Sequence, residues 1–220
     1  MTTAVSDASV PALEESAAFW NRRHRSMDDL RTGGHIGYDV GSNEILYAVR
    51  LGQLIEIIGD LSDAGAPLRV LDAGCGTGWF ARAMGRFGHR VDGIDISAHA
   101  VDQCRRLSGT ERYEVAPLHG WRPPYLYDVS YSVDVLFHVM DDQLWSRSLV
   151  NLGSLVRLGG LLVLSEHDAN EDRTWSSYQR TRALSRYRVL LEPRGWRYER
   201  FVPHHFRTGK VGFLVLTKVS

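Results

Sequence analysis

Val70-Leu71-Asp72-Ala73-Gly74-Cys75-Gly76-Thr77-Gly78 decides the fold. An apolar run over 68–73 reads as a buried strand, and residues 79–87 continue with a helical period. Glycines at alternate positions between them let the backbone turn sharply and approach a ligand closely. A dinucleotide site would want a third glycine where Trp79 stands, and a phosphate-cradling loop would need a lysine, yet none precedes Lys210. The loop is therefore expected to hold a nucleoside without a diphosphate. One βα unit on, Val91-Asp92-Gly93-Ile94-Asp95 reads as a second buried strand, with Asp95 23 residues after Asp72. Both carboxylates then reach the C-terminal edge of one sheet, where an acid can accept hydrogen bonds from both hydroxyls of a ribose. Taken singly, the loop is also compatible with a plain tight turn, and Asp95 with a helix cap. The spacing of the two signals points to a ligand.

Working outward, Ser97 is placed to cap a helix reaching residue 107, and 113–116 forms a weak third strand. Residues 129–139 read as a strand, 143–158 as a helix, and 161–165 as a strand introduced by Gly159-Gly160. A helix over 176–191 and strands over 198–202 and 212–219 close the chain. Only 203–211 separates the last two strands, too short for a helical crossover, so they should pair antiparallel. Before the core, 17–30 and a helix capped at Ser42 or Asn43 carry helical spacing. The fold class is α/β: a doubly wound, mostly parallel sheet with helices on both faces and an antiparallel last strand. Residues 1–13 are expected to be disordered, 14–66 to form a helical cap continuous with the core, and 67–220 to form the α/β domain.

The 220 residues are 44% hydrophobic and 24% charged, ordinary values for a globular chain, which excludes disorder and disulfide scaffolds. Lysine plus arginine equals aspartate plus glutamate at 26 each, and this balance speaks against nucleic acid as a partner. No stretch approaches the ~18 apolar residues of a membrane span, and the N-terminus lacks a secretory apolar core. A cytoplasmic protein with Cys75 and Cys104 reduced is expected.

These motifs resemble a class I S-adenosylmethionine-dependent methyltransferase of the small-molecule type. Asp72-x-Gly74-x-Gly76-x-Gly78 matches that family's first motif, and Asp95 matches its ribose-binding acid. Residues 127–139 resemble its fourth-strand motif, and 155–160 the stretch before its fifth strand. The likeness covers roughly residues 68–167. It implies S-adenosyl-L-methionine as cofactor, held by Asp72, Gly74, Gly76, Gly78, Asp95, Ile96 and Ser132. Two departures stand out. Leu158 replaces a proline, and 115–117 lacks the polar residue that often contacts adenine, so the adenine contact stays unassigned.

A hydroxyl acceptor needs a base, and histidine suits that work near neutral pH. His138 follows the fourth strand at the active edge; it is either that base or a packing histidine below the cofactor. His167 is the second candidate. With Glu166 and Asp168 it reads either as a metal-ligand set or as a solvated loop, and no metal is assigned. Trp20 and Tyr38, with His35 and Tyr47, belong to a segment expected to fold over the cofactor and shape the acceptor pocket, where His204 can also contribute. Cys75 reads as a small packing residue. Residues 128–172 carry net −6 and 173–210 net +8, which either draws an anionic acceptor or pairs internally. The expected function is O-methylation of a sugar or natural product. The alternatives are N-methylation, or a cofactor-binding protein of the same fold without methyl transfer.

Overall fold

The computed structural model describes residues 9–26, 30–35, 37–59, 61, 66–107, 109–207 and 209–220. Two helices, α1 (Ser9–Ser26) and α2 (Val40–Gly59), precede the sheet. The chain then alternates through β1 (Arg69–Ala73), α3 (Trp79–Arg86), β2 (Arg90–Asp95), α4 (Ala98–Leu107) and β3 (Arg112–Val115). Next come β4 (Tyr127–Ser132), α5 (Asp142–Ser154), β5 (Val156–His167), β6 (Arg173–Ser176), β7 (Gln179–Thr181), α6 (Leu184–Leu191), β8 (Trp196–Pro203) and β9 (Val211–Lys218).

The seven-stranded sheet has the order β3-β2-β1-β4-β5-β9-β8. Strands β1 to β5 pair in parallel, while β9 runs antiparallel to both β5 and β8. The chain winds outward from β1 in one direction and from β4 in the other. The switch between them opens a crevice at the C-terminal ends of β1 and β4, where such sheets bind ligands.

Strand alternation sorts the core into two layers. Val70, Val129, Tyr131, Val163 and Val215 pack with Leu54, Ile57 and Ile58 of α2 and Phe80 and Met84 of α3. Leu71, Ile94, Leu162, Leu164, Leu214 and Leu216 face Trp145, Leu149 and Leu152 of α5 and Tyr187 and Leu191 of α6. Each such fully buried Val or Leu contributes about 1.5–3 kcal/mol relative to an exposed position. That two-sided burial is why β1, β5 and β9 read as continuous apolar runs.

Three stretches depart from the expectation. Helix α1 begins at Ser9, ahead of the expected boundary at 13, and ends at Ser26 rather than 30; residues 1–8 and 27–29 lie outside the described residues. Strand β4 stops at Ser132, because Asp134 adopts a positive φ of 57° and a 3-10 turn follows at Leu136–His138. The helix expected over 176–191 is instead the β6–β7 hairpin followed by α6. Tertiary contacts decide this. Arg182 is buried with Nε 3.0 Å from Asp142 Oδ1 and Nη2 2.7 Å from the Val139 carbonyl, and its guanidinium lies 4.7 Å from the Trp145 ring. A helix through Arg182 would lose that seat. Trp175 Nε1 donates to Thr181 Oγ1 across the hairpin at 2.8 Å. Among the described residues no helix is long and apolar enough to cross a membrane.

Candidate active site

The glycine loop is tied to the neighbouring strand: the Gly74 and Cys75 amides donate to the Ile94 carbonyl at 2.8 and 2.9 Å. Gly74, at φ 85°, has no room for a side chain because a Cβ there would enter the Val135 side chain. Gly76, at φ 50°, is different, since a Cβ there would meet only His24 Cε1 at 3.7 Å. Its open side faces a cavity of about 610 Å³ that runs beneath α1 and over the ends of β1, β2 and β4. That volume lies within the ~300–1,000 Å³ typical of small-molecule and cofactor sites.

Asp95 closes one side of this cavity. Its Oδ2 accepts from the Gly76 amide at 2.9 Å and its Oδ1 from the Ser97 amide at 2.8 Å. A carboxylate has about four acceptor sites, so capacity remains for a ligand. Ser97 Oγ accepts from the Ala100 amide at 3.2 Å, the cap that the sequence indicated, and donates to Asn21 Oδ1 at 3.0 Å. The same Asn21 oxygen accepts from the His99 amide at 3.1 Å, so α1 is pinned to the start of α4.

Asp72 is buried at the end of β1 and lines the cavity, and its Oδ2 has no hydrogen-bond partner. Burial pushes its carboxyl up to about 7, aided by the Asp95 charge and opposed by the Tyr131 hydroxyl and Arg82. A buried acid with one unpartnered oxygen and a carboxyl raised by burial, at the wall of a cleft, is a candidate binding position.

His138 lines the cavity as well. Its Nδ1 lies 2.6 Å from the Tyr178 carbonyl. A carbonyl only accepts, so Nδ1 carries the proton and the Nε2 lone pair is the one able to take another. The ring sits 5.0 Å edge-on to Trp20 and 5.7 Å from Tyr178, which itself stacks on Phe19 at 5.7 Å. Burial lowers the imidazole pKa and keeps the ring neutral and basic near pH 7.

The other candidates separate. Asp72, Gly74, Gly76, Asp95, Ile96, Trp20 and His138 meet around the one cavity. Gly78 does not line it; with φ 75° it starts α3, where a Cβ would meet Cys104 Sγ at 2.8 Å. Ser132 turns inward and donates to the Ala73 carbonyl at 2.8 Å, which ties β4 to β1. His167 lies outside the cavity between Phe137 and Trp175, with ring centroids 5.9 and 6.1 Å away. Glu166 is buried, and its carboxyl is pushed up to about 8 by burial, while Asp168 is exposed. The three residues therefore occupy different environments, and the described residues hold no group of three metal-type side chains. His204 is buried under α2, with Nδ1 2.6 Å from Gln53 Oε1, and burial drives its pKa down to about 3. Tyr38 stacks on His35 at 4.0 Å and under Arg207, away from the cavity.

Three residues that line the cavity were missed by sequence reasoning: His24, Asp134 and Tyr178. Ser16, Trp20 and His24 stand at i, i+4, i+8 on α1, a spacing that marks one helix face. Asp134 makes a buried, two-point ion pair with Arg50 at 2.7 and 3.1 Å and accepts from Ser165 Oγ at 2.7 Å. No local pattern announces it. Within the basic C-terminal segment, Arg180 and Arg186 pair with Asp142 and Asp172, and Arg182 pairs with Asp142.

Residues 47–208 match a methyltransferase domain family, well over half of the chain, and the chain belongs to that family. It is similar to a ubiquinone biosynthesis O-methyltransferase of Methylocella silvestris, 33% identical over 138 residues that cover 59% of this chain and 51% of that protein. The chain thus spans about half the length of the curated relatives it matches first. Among solved structures, a Synechocystis magnesium protoporphyrin IX methyltransferase with bound S-adenosylmethionine superposes with a TM-score of 0.74 at 18% identity, covering 97% of this chain and all of the other. A Burkholderia thailandensis 1,6-didemethyltoxoflavin-N1-methyltransferase gives 0.68 at 20% identity, covering 100% and 99%. At such identities these two likenesses establish the fold.

Proposed function

We propose that this chain is an S-adenosylmethionine-dependent methyltransferase that acts on a hydroxyl of a small molecule, with His138 as the base. One observation carries the reading. The His138 ring, its Nδ1 committed to Tyr178, shares a single cavity with Asp95 and the glycine loop. S-adenosylmethionine, when bound, supplies a methyl group on a positively charged sulfur, open to in-line displacement by an acceptor oxygen.

The residues present fit that cofactor. The open side of Gly76 admits close backbone approach, Asp95 retains acceptor capacity for ribose hydroxyls, and the orphaned Asp72 Oδ2 suits a methionine ammonium. His138 Nε2 takes the acceptor proton, and Phe19, Trp20 and Tyr178 around it orient the acceptor and exclude water. These rings favour a hydroxyl on a flat, apolar ring over a sugar. The pairing of Arg180, Arg182 and Arg186 with Asp142 and Asp172 takes three of the ten basic residues of 173–210 out of reach of an anionic acceptor. Cytoplasmic residence belongs to this proposal too, supported by two buried, unpaired thiols.

Calorimetry should show S-adenosylhomocysteine binding and no NAD binding; NAD alone binding would sink the reading. With labelled S-adenosylmethionine, a panel of phenols, amines and sugars should yield label on phenolic oxygen. Label on sugars alone would overturn the ring preference, and cofactor binding without any transfer would leave a binding protein.

Asp72 adds a pH dependence. Its carboxyl titrates at about 7, and only the ionised form, above that pH, attracts an ammonium. Affinity for S-adenosylhomocysteine should therefore rise from pH 6 to pH 8, by up to about tenfold per unit below the pKa. In Asp72→Asn this rise should disappear. An identical pH profile in the mutant would take Asp72 out of cofactor binding.

A further inference from the structure

His24 is 5% exposed, lines the cavity from α1, and has a buried Nδ1 without a hydrogen-bond partner. A buried ring nitrogen without a partner is unfavourable, and an occupant of the cavity would satisfy it. The position of the ring says which. His24 Cε1 would be 3.7 Å from a Cβ on Gly76, and the Gly76 amide is bonded to Asp95 Oδ2. The imidazole thus stands over the junction of the glycine loop and the ribose acid, and it is electrostatically linked to Asp95. Its placement is enforced: Asn21, three residues earlier on α1, bonds Ser97 Oγ and the His99 amide directly after Asp95. Trp20, one turn back, has its ring 6.3 Å from His24.

We propose that His24 is a ribose-contacting residue delivered by α1, its Nδ1 hydrogen-bonding a hydroxyl that Asp95 holds from the other side. The inference rests on the cofactor reading above and deepens it. The lid helix then does more than cover the cavity, because it completes the nucleoside site. Burial lowers the His24 pKa, outweighing the opposing pull of Asp95, and a neutral ring with Nδ1 protonated donates to the hydroxyl while that hydroxyl donates to the carboxylate. Neither residue alone satisfies both the donor and the acceptor capacity of a ribose oxygen.

The test compares wild type, His24→Phe and His24→Gln by calorimetry with four probes: S-adenosylhomocysteine, its 2′-deoxy and 3′-deoxy analogues, and adenosine. Phenylalanine fills the space without a donor, while glutamine restores one. His24→Phe should weaken S-adenosylhomocysteine and adenosine by the same factor, about threefold to tenfold for one neutral hydrogen bond. It should also lose discrimination against one deoxy analogue, and His24→Gln should recover most of both effects. Unchanged affinity in folded His24→Phe overturns the proposal. So does an equal loss for the parent and both deoxy compounds, which is what a merely structural role gives. A loss for S-adenosylhomocysteine but not adenosine moves the contact to the methionine end and also overturns it. Should His24→Phe fail to fold, His24→Leu, which also lacks a donor, takes its place: discrimination against both deoxy analogues kept at the wild-type level in that variant overturns the ribose contact. Wild type that binds none of the four probes would instead bring down the cofactor reading.

Discussion

His138→Ala should lower kcat by about 10²–10⁴-fold while leaving affinity for S-adenosylhomocysteine within about threefold, the range expected for loss of a positioned general base. The Tyr178 carbonyl, 2.6 Å from Nδ1, holds the ring in the tautomer whose Nε2 is free to accept. Trp20 and Tyr178 fix the ring plane. Burial is the largest influence on its pKa and lowers it; the Tyr178 bond and the Asp134 charge oppose this, and Arg23 adds to the lowering. The protonated ring cannot take a proton, so kcat should fall as pH drops through a value below that of free imidazole and stay flat above it. His138→Gln can keep the bond to Tyr178 but cannot accept the proton, so it should not rescue turnover. Full kcat with lost cofactor affinity would make His138 a wall of the binding site. His167, set behind Phe137 and outside the cavity, offers no substitute without a rearrangement.

The fold, and the glycine loop and acid that line the cavity, were readable in the chain because their signals are local. The alternating glycines after an apolar run, and an acid ending the next run, depend on backbone conformation and strand period within some 25 residues. What could not be read were side chains whose role is set by a distant partner. Arg182 looks like one more arginine in a helical stretch, yet its burial against Asp142 and Trp145 is what turns 173–181 into a hairpin. Ser132 and His204 stand at edges where a ligand was expected, but Ser132 is spent on the Ala73 carbonyl and His204 on Gln53. Asp134, which keeps α2 against the sheet through Arg50, lies within the stretch that resembles the fourth-strand motif but is identifiable only by its ion pair. The tertiary setting decides each of these roles.

Asp95→Ala should raise the dissociation constant for S-adenosylhomocysteine by about 10²–10⁴-fold. Two charge-assisted bonds to ribose hydroxyls contribute roughly 1.5–3 kcal/mol each, and every 1.4 kcal/mol is about tenfold. Sequence alone offered helix cap and ribose acid as alternatives; the structure gives the cap to Ser97 and sets Asp95 against two backbone amides at the wall of the cavity. One oxygen holds the Gly76 amide, the other the Ser97 amide. The carboxylate therefore shapes the glycine loop while its remaining lone pairs are left for the cavity. Truncation should accordingly lower Tm by several degrees as well, because two backbone donors lose a charged acceptor. Ser97→Ala separates the two effects. It removes the Ala100 cap and the Asn21 contact but leaves the Asp95 carboxylate in place, so Tm should fall while affinity changes by less than about fivefold. A folded Asp95→Ala protein with an unchanged dissociation constant would confine Asp95 to holding the loop and the start of α4, and the ribose would need another acceptor.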